Sequence, residues 1–170
     1  MIKEYTALGL MSGTSGDGVD ASIIQSDGQN KYEVILDKYF EYESNIYKNI
    51  HALKEKINNS EDLKNLSKEI MELEKKITLF HAKVFIDLSH ENVDLIGFHG
   101  QTIFHNAKEK ISKQLGDGKL LSQHTKKTVI YDFRQNDLKN GGEGAPLTPV
   151  FHQMLENKFN IKPVSFISIG

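Results

Sequence analysis

An α/β fold, a mixed sheet with helices on its faces, is what this 170-residue sequence predicts. Three observations carry that expectation. Two mainly apolar runs, Tyr5 to Met11 and Val19 to Gln25, flank a cluster of small residues, which reads as two strands joined by a glycine-rich turn. From Ser60 to Ser89, Leu63, Leu66, Ile70, Leu73, Ile77, Phe80, Val84 and Leu88 recur at spacings of three and four. Two short apolar runs, Val93 to Phe98 and Thr128 to Tyr131, then end in polar residues, as buried strands do where they open into a crevice.

Each element has a local reason. Asp27-Gly28-Gln29-Asn30 supplies a turn before a third strand, Tyr32 to Tyr42, in which Val34, Leu36 and Phe40 alternate in part with charge. Three consecutive antiparallel strands therefore open the chain. Helical patterning begins after Ser44, and Ser60 followed by Glu61 and Asp62 places a capping hydroxyl and acidic residues at the start of one long helix. Leu79, Phe85 and Ile86 widen its apolar face beyond a coiled-coil seam, which favours core packing over a dimer seam. Leu120 to Lys126 forms a short helix between the two later strands, and Val164 to Ile169 reads as a last strand.

Composition removes several function classes. A formal net charge of -2 gives no electrostatic case for nucleic acid or an anionic membrane. Zero cysteines exclude a disulfide framework, a thiolate metal site and a cysteine nucleophile. No stretch approaches the roughly 18 apolar residues of a membrane span, so the expected location is the cytoplasm.

The most informative segment is Gly9-Leu10-Met11-Ser12-Gly13-Thr14-Ser15-Gly16-Asp17-Gly18-Val19-Asp20. Its glycines let the backbone approach a ligand, and its free N–H groups with the Ser12, Thr14 and Ser15 hydroxyls can surround an anion. Phosphate binding is the chemistry suggested; the alternative is a flexible turn with hydroxyls bonded locally. Gly13 to Gly18 has P-loop glycine spacing, but Val19 and Asp20 stand where Lys and Ser/Thr are required. A Rossmann fingerprint is absent, and Asp17 replaces the closing glycine of a nucleophile elbow.

A second cluster runs from Asp132-Phe133-Arg134-Gln135-Asn136-Asp137 to Gly141-Gly142-Glu143-Gly144-Ala145-Pro146-Leu147. A carboxylate and a guanidinium at a strand end can orient the hydroxyls or carboxylate of a small ligand, with a surface ion pair of Asp132 and Arg134 as the alternative. His99 and Gln101 add donors and acceptors at the neighbouring strand end. A metal site of His99, His105 and Asp132 lacks compact ligand spacing. His51, His81, His90, His124 and His152 read as surface or packing residues.

At these segments, together with Ile96-Gly97-Phe98-His99-Gly100-Gln101-Thr102 and Gln114-Leu115-Gly116-Asp117-Gly118, the sequence resembles the anhydro-N-acetylmuramic acid kinases of the actin-like ATPase and sugar-kinase superfamily. The resemblance implies a ribonuclease-H-like lobe, one of two that close around ATP and a small anhydrosugar. It assigns the ATP phosphates to Gly13, Thr14, Ser15, Gly16, Asp17, Gly18, Val19 and Asp20, with Asp17 a water-mediated partner of Mg2+. Sugar orientation falls to His99, Gln101, Asp132, Arg134 and Asp137 as a group. The implied reaction opens the 1,6-anhydro bond with water and phosphorylates the released 6-hydroxyl, giving N-acetylmuramic acid 6-phosphate in cell-wall recycling. Two positions depart from the family pattern: Gly16 stands where leucine is usual and Glu143 where glutamine is usual. The resemblance also places the family's catalytic Asp and adenosine site beyond Gly170. The expectation is thus an N-terminal lobe, residues 1–170, inactive without its C-terminal lobe, with room for a homodimer of the intact protein. A competing expectation is a non-catalytic nucleotide- or sugar-binding lobe or partner subunit.

Overall fold

The computed structural model describes residues 3–29, 31–88, 92–160 and 162–167. The chain opens with three antiparallel strands, β1 (Tyr5–Ser12), β2 (Gly18–Ser26) and β3 (Tyr32–Glu41), followed by α1 (Ser44–Lys56), α2 (Asp62–Asn65) and α3 (Ser67–Asp87). Then come β4 (Leu95–Asn106), β5 (Ile111–Leu115), α4 (Gly118–Thr125), β6 (Thr128–Tyr131), α5 (Gln135–Lys139) and α6 (Pro149–Phe159). The sheet runs β3-β2-β1-β4, and β4 then takes two partners on its far edge. Its first half pairs in parallel with β6, Leu95 to Phe98 against Thr128 to Tyr131, and its second half pairs antiparallel with β5. Because β1, β4 and β6 are parallel, their C-terminal ends emerge at one edge of the sheet, where ligands of open α/β sheets bind.

Burial explains why the elements sit as they do. Alternate residues Leu8 and Leu10 of β1, and Val19, Ala21 and Ile23 of β2, are buried in one core with Ile50 and Leu53 of α1, Ile77 and Val84 of α3, and Ile96 and Phe98 of β4. Each large side chain so buried contributes about 1.5–3 kcal/mol. On the opposite side, Phe151 of α6 sits with Ala7, Gly9, Ile24 and Val34 around an apolar groove. Its ring meets Tyr32 edge-on at 5.3 Å.

Several expectations are corrected. The long helix from Ser60 is interrupted at Leu66, whose φ of -95° and ψ of 13° separate α2 from α3. The hydrogen-bonding oxygen ahead of it comes from Asn59 rather than Ser60: Asn59 Oδ1 accepts from the Glu61 and Asp62 N–H groups at 2.9 and 3.2 Å, while Glu61 at the N-cap makes no side-chain cap bond. Of the three residues expected to widen the apolar face, only Phe85 is buried; Leu79 and Ile86 are exposed. β6 is half-exposed rather than buried, with Ile130 and Tyr131 open to solvent. Val164 to Ile167 form no strand, and the remainder of that expected element, 168–170, lies outside the described residues, as do Asn30 and His90. No described helix is long and apolar enough to cross a membrane.

Candidate functional site

Between β1 and β2 the chain reverses through Gly13 to Asp17, closed by a Gly16 N–H bond to the Gly13 carbonyl at 3.1 Å. Gly16 has φ +68°, a left-handed conformation that favours glycine, and a Cβ there would also meet Ile50 Cγ2 at 2.9 Å. Glycine therefore suits this position in the turn. A buried polar network holds the turn from below. The Gln101 amide donates to the Gly13 carbonyl at 2.9 Å and to Thr102 O at 3.1 Å, while Gln101 Oε1 faces the Ser12 hydroxyl at 2.5 Å. Ser12 also approaches Gly18 O at 2.9 Å and accepts from the Tyr42 hydroxyl at 3.1 Å. Burial raises the Tyr42 pKa well above the usual phenolic range, so Tyr42 stays a donor. From α1, the Lys54 ammonium donates to Thr14 O at 2.8 Å.

These bonds leave the outward side of the turn open. Thr14, Ser15, Asp17 and Asp20 are exposed, and the Ser15 hydroxyl donates to Asp17 Oδ1 at 2.7 Å. Among the described residues, no acceptor meets the backbone N–H of Thr14 or of Ser15. Two expected participants face inward instead: the Ser12 hydroxyl is 1% exposed and Val19 0%, so neither side chain can touch a ligand.

A β-bulge shapes the neighbouring strand end. β1 pairs Leu10 with Phe98 but Met11 with Gly100, so His99 is the extra residue and its side chain is re-aimed. Gly100 makes the bulge feasible: its φ is +73°, and a Cβ would overlap the Leu115 carbonyl oxygen. His99 Nε2 accepts from the Arg134 guanidinium at 2.9 and 3.2 Å, which requires Nδ1 to carry the proton and donate to Gly100 O at 2.8 Å. Desolvation lowers the His99 pKa, the Gly100 bond opposes that, and the Arg134 charge lowers it further. The imidazole is therefore a neutral acceptor at neutral pH.

Arg134 also donates to Gly144 O at 2.6 Å, and Asp137 Oδ2 accepts from the Gly144 N–H at 2.7 Å. The two side chains clip the glycine loop onto α5. No Asp132–Arg134 ion pair forms, because the guanidinium is engaged by His99 and Gly144. Asp132, held at φ +64°, lines with His99 an open crevice of about 350 Å³ whose walls include Ser112, Lys113, Gln114 and Gln135.

Of the five residues expected to orient a sugar, His99 and Asp132 line the crevice, while Arg134 and Asp137 hold the neighbouring glycine loop. Gln101 lies apart from them, fully buried beneath the turn after β1. His105 bonds to Ser112 at 3.0 Å, and no group of three or more His, Asp or Glu among the described residues could hold a metal ion, which removes the His99, His105 and Asp132 reading. The sequence reading missed Lys54 and Tyr42, which lie 40 and 30 residues from their partners, Thr14 and Ser12. It also missed the crevice wall, since β5 itself went unseen.

Three antiparallel strands followed by parallel β4 and β6, with a glycine- and hydroxyl-rich turn after β1, define a ribonuclease-H-like lobe of the actin-like class. Within that class, residues 5–170 match the family model described as anhydro-N-acetylmuramic acid kinase, and the chain belongs to this family. Relatives carrying that name include a protein of Pelagibacter ubique, 60% identical over 100% of this chain and 46% of its own length. One from Rhizobium etli is 38% identical over 97% of this chain and 47% of its own, and one from Brucella canis 36% over 96% and 46%. The chain spans about half the length of these curated relatives.

Proposed function

We propose that this chain is the N-terminal lobe of a two-lobed kinase that uses ATP to convert 1,6-anhydro-N-acetylmuramic acid into N-acetylmuramic acid 6-phosphate. The observation that carries the reading is the shared edge of β1, β4 and β6. The turn after β1 and Asp132 after β6 lie two strands apart there, about 10 Å, with His99 between them. That separation suits a phosphate tail at the turn and a sugar in the crevice.

In this reading, Thr14 and Ser15 receive the nucleotide phosphates, and Asp132, His99 and Arg134 orient the sugar. Asp137 contributes through the loop it holds. Asp17 fits an outer partner of magnesium: it is exposed, single and held by Ser15, and magnesium keeps most of its waters and binds through one or two carboxylates plus phosphates. When bound, that ion would neutralise charge on the transferring phosphoryl group. Water attacks the anomeric carbon, the bond from that carbon to O6 breaks, and O6 takes the γ-phosphoryl group as ADP departs. The proton released by the water goes to a general base that this reading places in the second lobe.

The test is direct. Full-length protein, ATP, magnesium and the anhydrosugar should yield a product heavier than the sugar by one water and one HPO3 unit, seen by mass spectrometry, while the 170-residue chain should give none above a blank. Absence of that product with the full-length protein would overturn the proposal.

A further inference from the structure

We infer that Lys54 is a positioning residue that supplies, from helix α1, the turn-holding cation that the glycine motif itself lacks. The inference deepens the nucleotide-binding reading of the same turn and rests on it.

The argument starts from the planar trans peptide, in which C=O and N–H point in opposite directions. A turn that cradles an anion must therefore have its carbonyls held on the far side, or they would face the phosphate oxygens. Two carbonyls here are so held. Gln101, buried beneath the turn, takes the Gly13 carbonyl at 2.9 Å, and Lys54 takes that of Thr14 at 2.8 Å. The peptides of both residues are trans, so the N–H groups of Thr14 and Ser15 are aimed the other way. Both amides, like those of Gly13 and Asp17, lack an acceptor among the described residues. The two carbonyls are engaged, and the two N–H groups opposed to them are left open.

Lys54 does more than a neutral donor would. The exposed side of the turn carries the carboxylate of Asp17, which repels a phosphate chain. An ammonium anchored to Thr14 O offsets that charge, and its bond to the carbonyl polarises the same peptide so that the Ser15 N–H is a stronger donor. In a Walker loop the lysine sits inside the motif; here Val19 and Asp20 fill those places and the cation arrives from α1. Ile50, one turn earlier on α1, lies within van der Waals reach of the Gly16 position and fixes the helix against the turn.

The experiment titrates the 170-residue chain, labelled with 15N, first with tripolyphosphate and then with ATP plus magnesium. The Thr14 and Ser15 amide signals are followed. In the unsubstituted chain both should shift on titration. Lys54→Met, which keeps the length and apolar stem, should leave the remaining spectrum in place but weaken binding by about tenfold, and Lys54→Arg should restore most of it. Equal affinity for the Lys54→Met chain, or no recovery with Lys54→Arg, would overturn the role of Lys54 while leaving the nucleotide reading intact. Unmoved Thr14 and Ser15 signals in the unsubstituted chain, with either ligand in excess, would overturn both.

Discussion

The turn after β1 and the crevice share one edge of the sheet yet are built in opposite ways. The turn is held by residues distant in sequence: Gln101 lies 88 positions from Gly13, and Lys54 lies 40 from Thr14. Its supports, Ser12, Gln101 and Tyr42, are all buried. The loop beside the crevice is tied mostly to itself, Asp137 to Gly144 across 7 positions and Arg134 to Gly144 across 10. A segment with remote, buried ties opens only when the domain does, whereas one with local, partly exposed ties can open alone. A turn fixed by distant residues next to a loop tied to itself is the lesson of that contrast.

The joint between the two regions is where the contrast breaks most severely. Gly100→Ala should cost about 3 kcal/mol or more, measured by urea unfolding, since the new Cβ meets both a left-handed φ and the Leu115 carbonyl. An effect below about 0.5 kcal/mol would mean the bulge is not required.

His81 tests the shared floor. It is fully buried on α3, its ring 4.8 Å from Phe98 and 6.3 Å from Tyr42, so it underlies both regions. Its Nδ1 bonds Ile77 O at 2.8 Å, and Nε2 has no partner. Burial pushes its pKa down to about 4 from an ordinary 6.5. The unfolded chain therefore takes up the proton first, and stability is full above pH 6.5 and declines as pH falls toward 4. Between pH 7 and 4.5 His81 should account for a loss on the order of 2 kcal/mol, checked by comparing urea midpoints with those of His81→Phe. An equal acid loss in the variant would assign it elsewhere.

Gln101→Leu separates the two regions. It removes both amide bonds and the Ser12 contact with Gln101, so global stability should drop by about 2 kcal/mol, and amide exchange should quicken at Gly16 while Gly144 is unaffected. Asp137→Ala is the mirror experiment and the smallest effect. Global stability should change by less than about 1 kcal/mol, whereas exchange at Gly144 should rise by about tenfold. If Asp137→Ala proves as costly as Gln101→Leu, the loop is not an independent unit.

Much of this was legible in the sequence. Alternation and turn residues located β1, β2 and β3 to within a residue or so, and Thr128 to Tyr131 matched β6. Other features were not, for physical reasons. β4 continues from Phe98, where the apolar run ends, through His99 to Asn106, a stretch stabilised by β5, itself only Ile-Ser-Lys-Gln-Leu. Strand pairing between two weak segments is a tertiary effect, and propensity does not reveal it. The α2–α3 break leaves the apolar spacing intact, so periodicity cannot show it. Val164 to Ile167 illustrate the reverse case, apolar residues with no neighbour to pair with among the described strands. For the site, the glycines and hydroxyls marked the turn, but which donor holds which carbonyl depends on where α1 and β4 come to rest.

The divided edge of β4 also makes the β4–β5 hairpin an exchangeable cassette. Its pairing begins only at Gln101 and ends in a short reversal at Ala107–Lys110, while β6 pairs with β4 no further than Phe98 and β1 no further than Gln101. Ser112, Lys113 and Gln114 form one wall of the crevice from this hairpin. Grafting a longer or differently charged ribbon beyond the bulge would thus resize and recharge the crevice without re-registering the strands that flank the turn after β1.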